Sequence, residues 1–167
     1  MAAMGYPARV IQDSPRKLKN LFGVFTYLAA GIRNALHLDE VRIFIEDQDG
    51  ISHDFEGSTI LLSNIGKIGD INLKVTPDTS AHDGKFDLTI ISSRSFWELI
   101  MVFFRMLNWG YKPSARIHHF QAEKVVVATD PPVEVQIDGE NLGYTPLEAE
   151  IIHQGVQFIV GDRYRED

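Results

Sequence analysis

The chain has 167 residues, of which 44% are hydrophobic, 23 are acidic and 16 are basic, and it contains no cysteine. The net charge of -7 argues against nonspecific nucleic-acid binding, and the missing cysteines exclude disulfides and thiolate metal sites. No signal-peptide pattern opens the chain and no apolar run reaches the roughly twenty residues that span a bilayer, so we expect one soluble, cytoplasmic domain.

The first predicted element is a helix over residues 15–37. Ser14 is a good N-cap, and Pro15 suits the first helical position because a hydrogen-bonded amide is not needed there. Apolar side chains then recur every three or four residues and form one face. These are Leu18, Leu21, Phe22, Phe25, Leu28, Ala29, Ile32 and Leu36.

From Val41 the apolar period changes to two, which predicts strands. The predicted strands cover 41–45, 58–63, 71–75, 86–91, 124–128, 133–137, 147–151 and 156–160. A second helix is predicted over 95–109, opened by a capping box between Ser95 and Glu98. We therefore predict one α+β domain over 1–167, mainly antiparallel, in which two helices pack on a two-layer β-sandwich.

The second predicted helix is apolar around most of its circumference, with a narrow polar stripe of Glu98, Arg105 and Asn108. An ordinary amphipathic helix has a narrower apolar face. The helix is too short to cross a membrane, so it is either buried on most sides or meets lipid or a partner domain.

Two Asp-Gly turns could carry chemistry. Asp83-Gly84 follows a polar run and precedes a strand, which suits either a plain turn or a loop that holds Mg²⁺ through the Asp83 carboxylate. Asp138-Gly139 lies between two alternating strands, which suits either a tight hairpin or a turn that presents Glu140 as a general base. The pattern alone leaves both alternatives open.

The six histidines lack the i, i+4 spacing of a helical zinc site. His118 and His119 are neighbours on an expected strand, so their side chains should point to opposite faces, and we expect a surface pair beside a sheet. Glycine-rich nucleotide loops such as G-x-x-x-x-G-K-[ST] are absent from the sequence.

Three stretches, taken in order, resemble the diacylglycerol kinase and sphingosine kinase superfamily, in particular its bacterial YegS-like members. The R-K-L-K-N-L-F-G-V-F-T-Y-L block at 16–28 is similar to the K-x-x-G-x-x-x-Y helix of that family. Pro77 with D-G-K-F-D-L at 83–88 resembles its P-x-A…D-G-x-L-D-V segment. V-Q-I-D-G-E at 135–140 with T-P-L at 145–147 resembles its Q-x-D-G-E…P-L ending.

The resemblance implies the C-terminal, lipid-substrate half of a two-domain kinase whose N-terminal ATP-binding domain, with its G-G-D-G-T loop, lies outside this sequence. It implies that Glu140 takes the proton from the lipid hydroxyl. It also implies that Asp83, with the backbone carbonyls of Ser80 and Lys85, holds Mg²⁺. ATP would be the co-substrate of the full-length enzyme, and we expect the isolated chain to be inactive.

The expected partners are a lipid substrate and the ATP-binding domain in cis, without nucleic acid. A homodimer and contact with the inner face of the membrane are compatible with the resemblance. Two noncatalytic alternatives remain. Residues 133–160 also resemble PEGA-type β modules, which are not enzymes, and a degenerate kinase relative could serve interaction alone.

Overall fold

The computed structural model describes residues 1–5, 8, 38–64, 83–95, 97–98, 101, 116–153 and 155–156. Ten β-strands form within these residues. They are β1 (Ala2–Gly5), β2 (Val41–Asp47), β3 (Ser52–Gly57), β4 (Thr59–Ser63), β5 (Phe86–Ile91), β6 (Ile117–Ala122), β7 (Lys124–Asp130), β8 (Glu134–Ile137), β9 (Glu140–Tyr144) and β10 (Leu147–Glu150).

The strands form two sheets, in which each of the described ladders is antiparallel. Sheet A has the order β6-β5-β4-β1-β8-β9, and sheet B has the order β10-β7-β2-β3. The prediction of a mainly antiparallel, two-layer β-sandwich is confirmed. The predicted helix over 15–37 and the predicted strand over 71–75 lie outside the described residues.

The core lies between the sheets because apolar side chains alternate along the strands. In β2, Val41, Ile43 and Ile45 are buried, while the residues between them are exposed. The same inward alternation in both sheets builds one cluster. Its most buried members are Met4, Ile43, Ile45, Ile60, Leu88, Ile90, Val125, Val127 and Val135.

Aromatic rings of strand β3 in sheet B contact rings of strand β6 in sheet A. The His53 ring lies 5.3 Å from the Phe120 ring, and the Phe55 ring lies 5.1 Å from the His118 ring, measured between centroids. His118 therefore faces sheet B, and its neighbour His119 faces the outer side of sheet A. The predicted opposite orientation of the two histidines is confirmed.

Only part of the second predicted helix is described, and there Trp97, Glu98 and Met101 are helical. The Oγ atom of Ser95 accepts a hydrogen bond from the Glu98 amide at 3.3 Å. The Glu98 carboxylate reaches back to the Arg94 amide at 3.0 Å instead of the Ser95 amide. The capping box therefore closes one residue earlier than the simple pattern. The remaining residues to 109 lie outside the described part, so how either helix packs stays a prediction.

Candidate active site

Glu140 is placed by a tight hairpin between β8 and β9. Asp138 and Gly139 have φ values of 48° and 92°, and positive φ at both central residues is typical of a two-residue type I′ turn. The Gln136 side-chain amide donates to the Gly139 carbonyl at 3.1 Å and braces the turn. The Asp-Gly hairpin predicted from the sequence is confirmed.

The Glu140 side chain is exposed at the start of β9, which is an edge strand of sheet A. Glu140 pairs with Ile137 across the hairpin, so its position is set by backbone ladder bonds and not by side-chain contacts. An exposed carboxylate on a braced turn can meet a substrate, as a general base must. The catalytic role of Glu140 stays a prediction. The Asp138 carboxylate lies 2.7 Å from the Met1 nitrogen.

Asp83 begins the turn that leads into β5. Its Oδ1 atom accepts the Lys85 amide hydrogen at 2.9 Å, and Gly84 takes a positive φ of 70°. This is the aspartate-stabilised turn that the Asp-Gly pattern favours. In the described residues, Lys85 therefore contacts Asp83 through the Lys85 backbone N–H. Ser80 lies outside the described residues, so the predicted arrangement of the two carbonyls around Asp83 stays a prediction.

A buried polar group that sequence reasoning missed lies beside the Asp83 turn. The Asp87 side chain is 0% exposed, and its Oδ1 atom lies 2.8 Å from His119 Nε2. Gln121 Nε2 donates to the same oxygen at 3.2 Å and lies 3.5 Å from Asp83 Oδ2. The expectation that His119 belongs to a surface pair is wrong, because its side chain is only 13% exposed and is held against Asp87.

The strand register brings Asp87, His119 and Gln121 together. Asp87 lies directly opposite Gln121 in the β5–β6 ladder, and His119 lies two residues along on the same face of β6. The other Asp87 oxygen, Oδ2, is buried without a hydrogen-bond partner in the described part of the chain. The same is true of Thr59 Oγ1 and Thr89 Oγ1. Buried oxygens of this kind are uncommon in folded proteins.

The Glu140 hairpin and the Asp83 turn lie at the same end of sheet A. Ile137 pairs with Ala2, Ala2 with Leu62, and Leu62 with Leu88, which makes one row across four strands. The hairpin follows Ile137, and the Asp83 turn precedes this row on β5. With strands about 4.8 Å apart, three steps separate β8 from β5 by roughly 14 Å.

A charged cavity of about 310 Å³ lies at the opposite end of sheet A. It is lined by Glu40, Glu56, Ser92, Arg94, Glu98 and Arg116. Arg94 Nε lies 2.9 Å from Glu40, which raises the pKa of Arg94. The hydrogen bond from the Arg94 amide and then the one from Arg116 lower the pKa of Glu98. In the cavity Arg94 pairs with Glu40 and Arg116 with Glu98, and neither Glu140 nor Asp83 lines it.

Comparison with known proteins identifies the family. The family model described as "YegS C-terminal NAD kinase beta sandwich-like domain" matches residues 1–160. The chain belongs to this family. The recognition made from the three ordered motifs is confirmed, and the matched region includes the helix block and the Asp83 turn as well as residues 133–160.

Relatives of the YegS C-terminal domain occur in longer proteins. "Putative lipid kinase SAB0675c" of Staphylococcus aureus is 29% identical over 154 residues, covering 91% of this chain and 48% of the relative. "Uncharacterized protein sll0036" of Synechocystis is 28% identical over 156 residues, covering 91% of this chain and 36% of the relative. The chain thus spans about half or less of these curated relatives.

Solved structures support the fold. "A putative diacylglycerol kinase from Bacillus anthracis str. Sterne" matches with a TM-score of 0.65 and 19% identity, covering 91% of this chain and 49% of that one. Another structure of "a putative diacylglycerol kinase from Bacillus anthracis str. Sterne" matches with a TM-score of 0.61 and 22% identity, covering 76% of this chain and 43% of that one. At these identities the likeness shows the β-sandwich fold. Within the described residues, no helix is long and apolar enough to cross a membrane.

Proposed function

We propose that this chain is the substrate-side domain of an ATP-dependent lipid kinase and acts together with an N-terminal nucleotide domain in cis. The match to the YegS C-terminal family over residues 1–160 carries the proposal. Relatives that extend well beyond this domain and are named lipid kinases support it. The PEGA alternative rested on residues 133–160 alone and leaves most of the matched region unexplained.

In this proposal Glu140 is the general base. Its carboxylate accepts the proton of a lipid hydroxyl as the hydroxyl oxygen attacks the γ-phosphorus of ATP. The bond from the γ-phosphorus to the bridging oxygen breaks, and ADP leaves with the electron pair. Phosphoryl transfer depends mainly on positioning and charge, so a fixed carboxylate is the main chemical group that this domain must supply. The exposed position of Glu140 and the braced hairpin support that role.

The region around Asp83 suits a hard cation such as Mg²⁺. Asp83 and Asp87 contribute two carboxylates. Gln121 contacts both of them, and His119 contacts Asp87. No group of three His, Cys, Asp or Glu side chains that could hold a metal occurs within the described residues. A cation would therefore rest on the Asp83 carboxylate with backbone carbonyls and water, which are ligands that Mg²⁺ accepts. Such a cation would have a structural role at the cleft.

The substrate class implies that the enzyme works at a membrane surface, on the cytoplasmic side where ATP is present. Trp97 and Met101 are 69% and 64% exposed and lie four residues apart in helical conformation, so they share one face. Large apolar side chains at a helix surface suit contact with a lipid interface. These two exposed side chains support the lipid or partner-domain alternative for this helix over burial on most sides.

The direct test uses the intact two-domain protein with labelled ATP and a panel of lipid alcohols: diacylglycerol, phosphatidylglycerol, a sphingoid base and a long-chain polyprenol. We expect ATP-dependent phosphorylation of at least one of them, and none by the 167-residue chain alone. If the intact protein binds ATP but phosphorylates no lipid hydroxyl, the kinase proposal is wrong and a noncatalytic role is favoured.

A further inference from the structure

The Gly139 carbonyl in the hairpin turn has a side-chain partner that lies in the body of sheet A. Gln136, on the inner strand β8, is only 5% exposed, and its Nε2 atom donates to the Gly139 oxygen at 3.1 Å. Strand β8 is paired on both sides, and Gln136 lies opposite Ala3 of β1 and Asn141 of β9. The Gln136 side chain therefore reaches the turn from a position that the sheet fixes.

This hydrogen bond acts on the peptide unit that joins Gly139 to Glu140. Gly139 has a φ of 92°, and its backbone accepts a wider range of conformations than that of other residues because it lacks a Cβ atom. A Cβ atom built there would contact no described residue apart from the chain neighbours of Gly139. The bond from Gln136 restricts the plane of this peptide, and with it the direction in which the Glu140 side chain leaves β9.

The Glu140 carboxylate depends on the backbone for its direction. Its side chain is exposed and makes no hydrogen bond or ion pair within the described part of the chain. A general base must lie within hydrogen-bond reach of the proton that it takes, and a misplacement of about 1 Å can lower turnover by about 100-fold. The orientation of the Gly139–Glu140 peptide thus decides whether the carboxylate reaches a substrate hydroxyl.

We propose that Gln136 is a positioning residue for Glu140, which it orients through the Gly139 carbonyl. This inference rests on the proposed function, in which Glu140 is the base. Gln136 neither touches the substrate nor takes a proton. If Gln136 served the fold alone, its loss would affect the enzyme in the same way whichever residue stands at position 140.

A double-mutant cycle in the intact two-domain protein tests this role. Turnover is measured with labelled ATP and a lipid alcohol of the panel that the wild type phosphorylates, for wild type, Gln136→Met, Glu140→Gln and the double variant. Methionine is close to glutamine in size but has no N–H donor. Gln136→Met should lower turnover by about 10- to 100-fold with little change in either KM. In the Glu140→Gln background it should have almost no further effect, because no base remains to be positioned.

Ser58→Ala is the matched control for the loss of a buried hydrogen bond. Ser58 is 5% exposed, and its Oγ atom lies 2.9 Å from Ser93 Oγ. It precedes Thr59, which pairs with Gly5 at the end of β1 away from the hairpin. Both Gln136→Met and Ser58→Ala should lower the melting temperature by about 2–4 °C, but Ser58→Ala should leave turnover unchanged.

The outcomes separate the inference from the proposed function. If Glu140→Gln abolishes turnover but Gln136→Met leaves it unchanged, or lowers it by the same factor in both backgrounds, the positioning role is wrong and the base assignment stands. If Glu140→Gln keeps near-normal turnover, or the wild type phosphorylates no lipid, the proposed function is wrong and this inference falls with it. Should Gln136→Met fail to fold, Gln136→Asn takes its place with the same expectations, because its amide is one methylene shorter and no longer reaches the Gly139 carbonyl.

Discussion

Replacing Gly84 by alanine tests the turn that holds Asp83. Gly84 has a φ of +70°, and a Cβ atom there would lie 2.9 Å from His153 Nδ1. The left-handed conformation costs an L-residue about 1–2 kcal/mol. Moving the His153 ring away from its preferred position adds about 1 kcal/mol. We therefore expect Gly84→Ala to lower the free energy of unfolding by about 2–3 kcal/mol in total.

Gly50 provides the matched control. Its φ of +72° is nearly the same, but apart from its two chain neighbours no described residue lies within 4 Å of the added Cβ. Gly50→Ala should therefore cost only the backbone strain, about 1–2 kcal/mol. In a chain of this size each 1 kcal/mol lowers the melting temperature by about 2–4 °C.

The assay is thermal and urea unfolding followed by circular dichroism for Gly84→Ala, Gly50→Ala, His153→Ala and the Gly84→Ala/His153→Ala double variant. The excess destabilisation of Gly84→Ala over Gly50→Ala should disappear when His153 is also replaced, because the ring is its cause. An excess that persists in the double variant, or no excess at all, would refute the described packing of His153 on the Asp83 turn.

Three further predictions concern the sandwich. Gly5→Ala should lower the free energy of unfolding in urea by about 3 kcal/mol or more, because the new Cβ would lie 2.6 Å from the Ser58 backbone oxygen at a φ of +80°. A loss near 1 kcal/mol would contradict this. Leu88→Ala should cost about 2–5 kcal/mol, since Leu88 is 0% exposed, and a smaller loss would question its core position. The Ile51 amide hydrogen bond lowers the pKa of Asp47 below 3.8, so the stability that this carboxylate contributes is present above pH 3.8 and lost as the pH falls through the lowered pKa. In NMR the chemical shift of the Ile51 amide should change with a midpoint below pH 3.8 as Asp47 is protonated. A midpoint above pH 3.8 would contradict the assignment.

Strands with clear alternation could be predicted from the sequence. The 86–91 strand matches β5 in both bounds, and the 124–128 and 147–151 strands match β7 and β10 within two residues. The Asp138-Gly139 hairpin was also predictable, because only a few dipeptides accept positive φ at both central positions. In these segments local preference and tertiary pairing agree.

Other strands could not be predicted because their local sequence does not favour the strand state. Strand β1 reads A-A-M-G, β3 reads S-H-D-F-E-G and β9 reads E-N-L-G-Y, all rich in residues that are neutral or unfavourable in strands. They become strands through pairing, as when β1 inserts between β4 and β8. That partner choice is decided by the whole fold.

In the candidate site too, some residues could be predicted from the sequence and others could not. Glu140 and Asp83 were accessible from the sequence because each sits in an Asp-Gly turn. The contacts that Asp87 makes with His119 and Gln121 were not accessible, because these residues are 32 and 34 positions apart and meet only through the β5–β6 register. A polar residue inside an apolar strand, as Asp87 is in β5, was the signal that could have revealed them.

The central claim is that Glu140 is the base of a lipid kinase, and the most direct measurement is the turnover of Glu140→Gln in the intact two-domain protein. Glu46→Gln, at an exposed strand position of sheet B, is the control. We expect Glu140→Gln to lower turnover by about two to four orders of magnitude with little change in lipid affinity or melting temperature, and Glu46→Gln to leave turnover unchanged. Near-normal turnover of Glu140→Gln would contradict the claim and leave the D-G-E sequence as a hairpin alone.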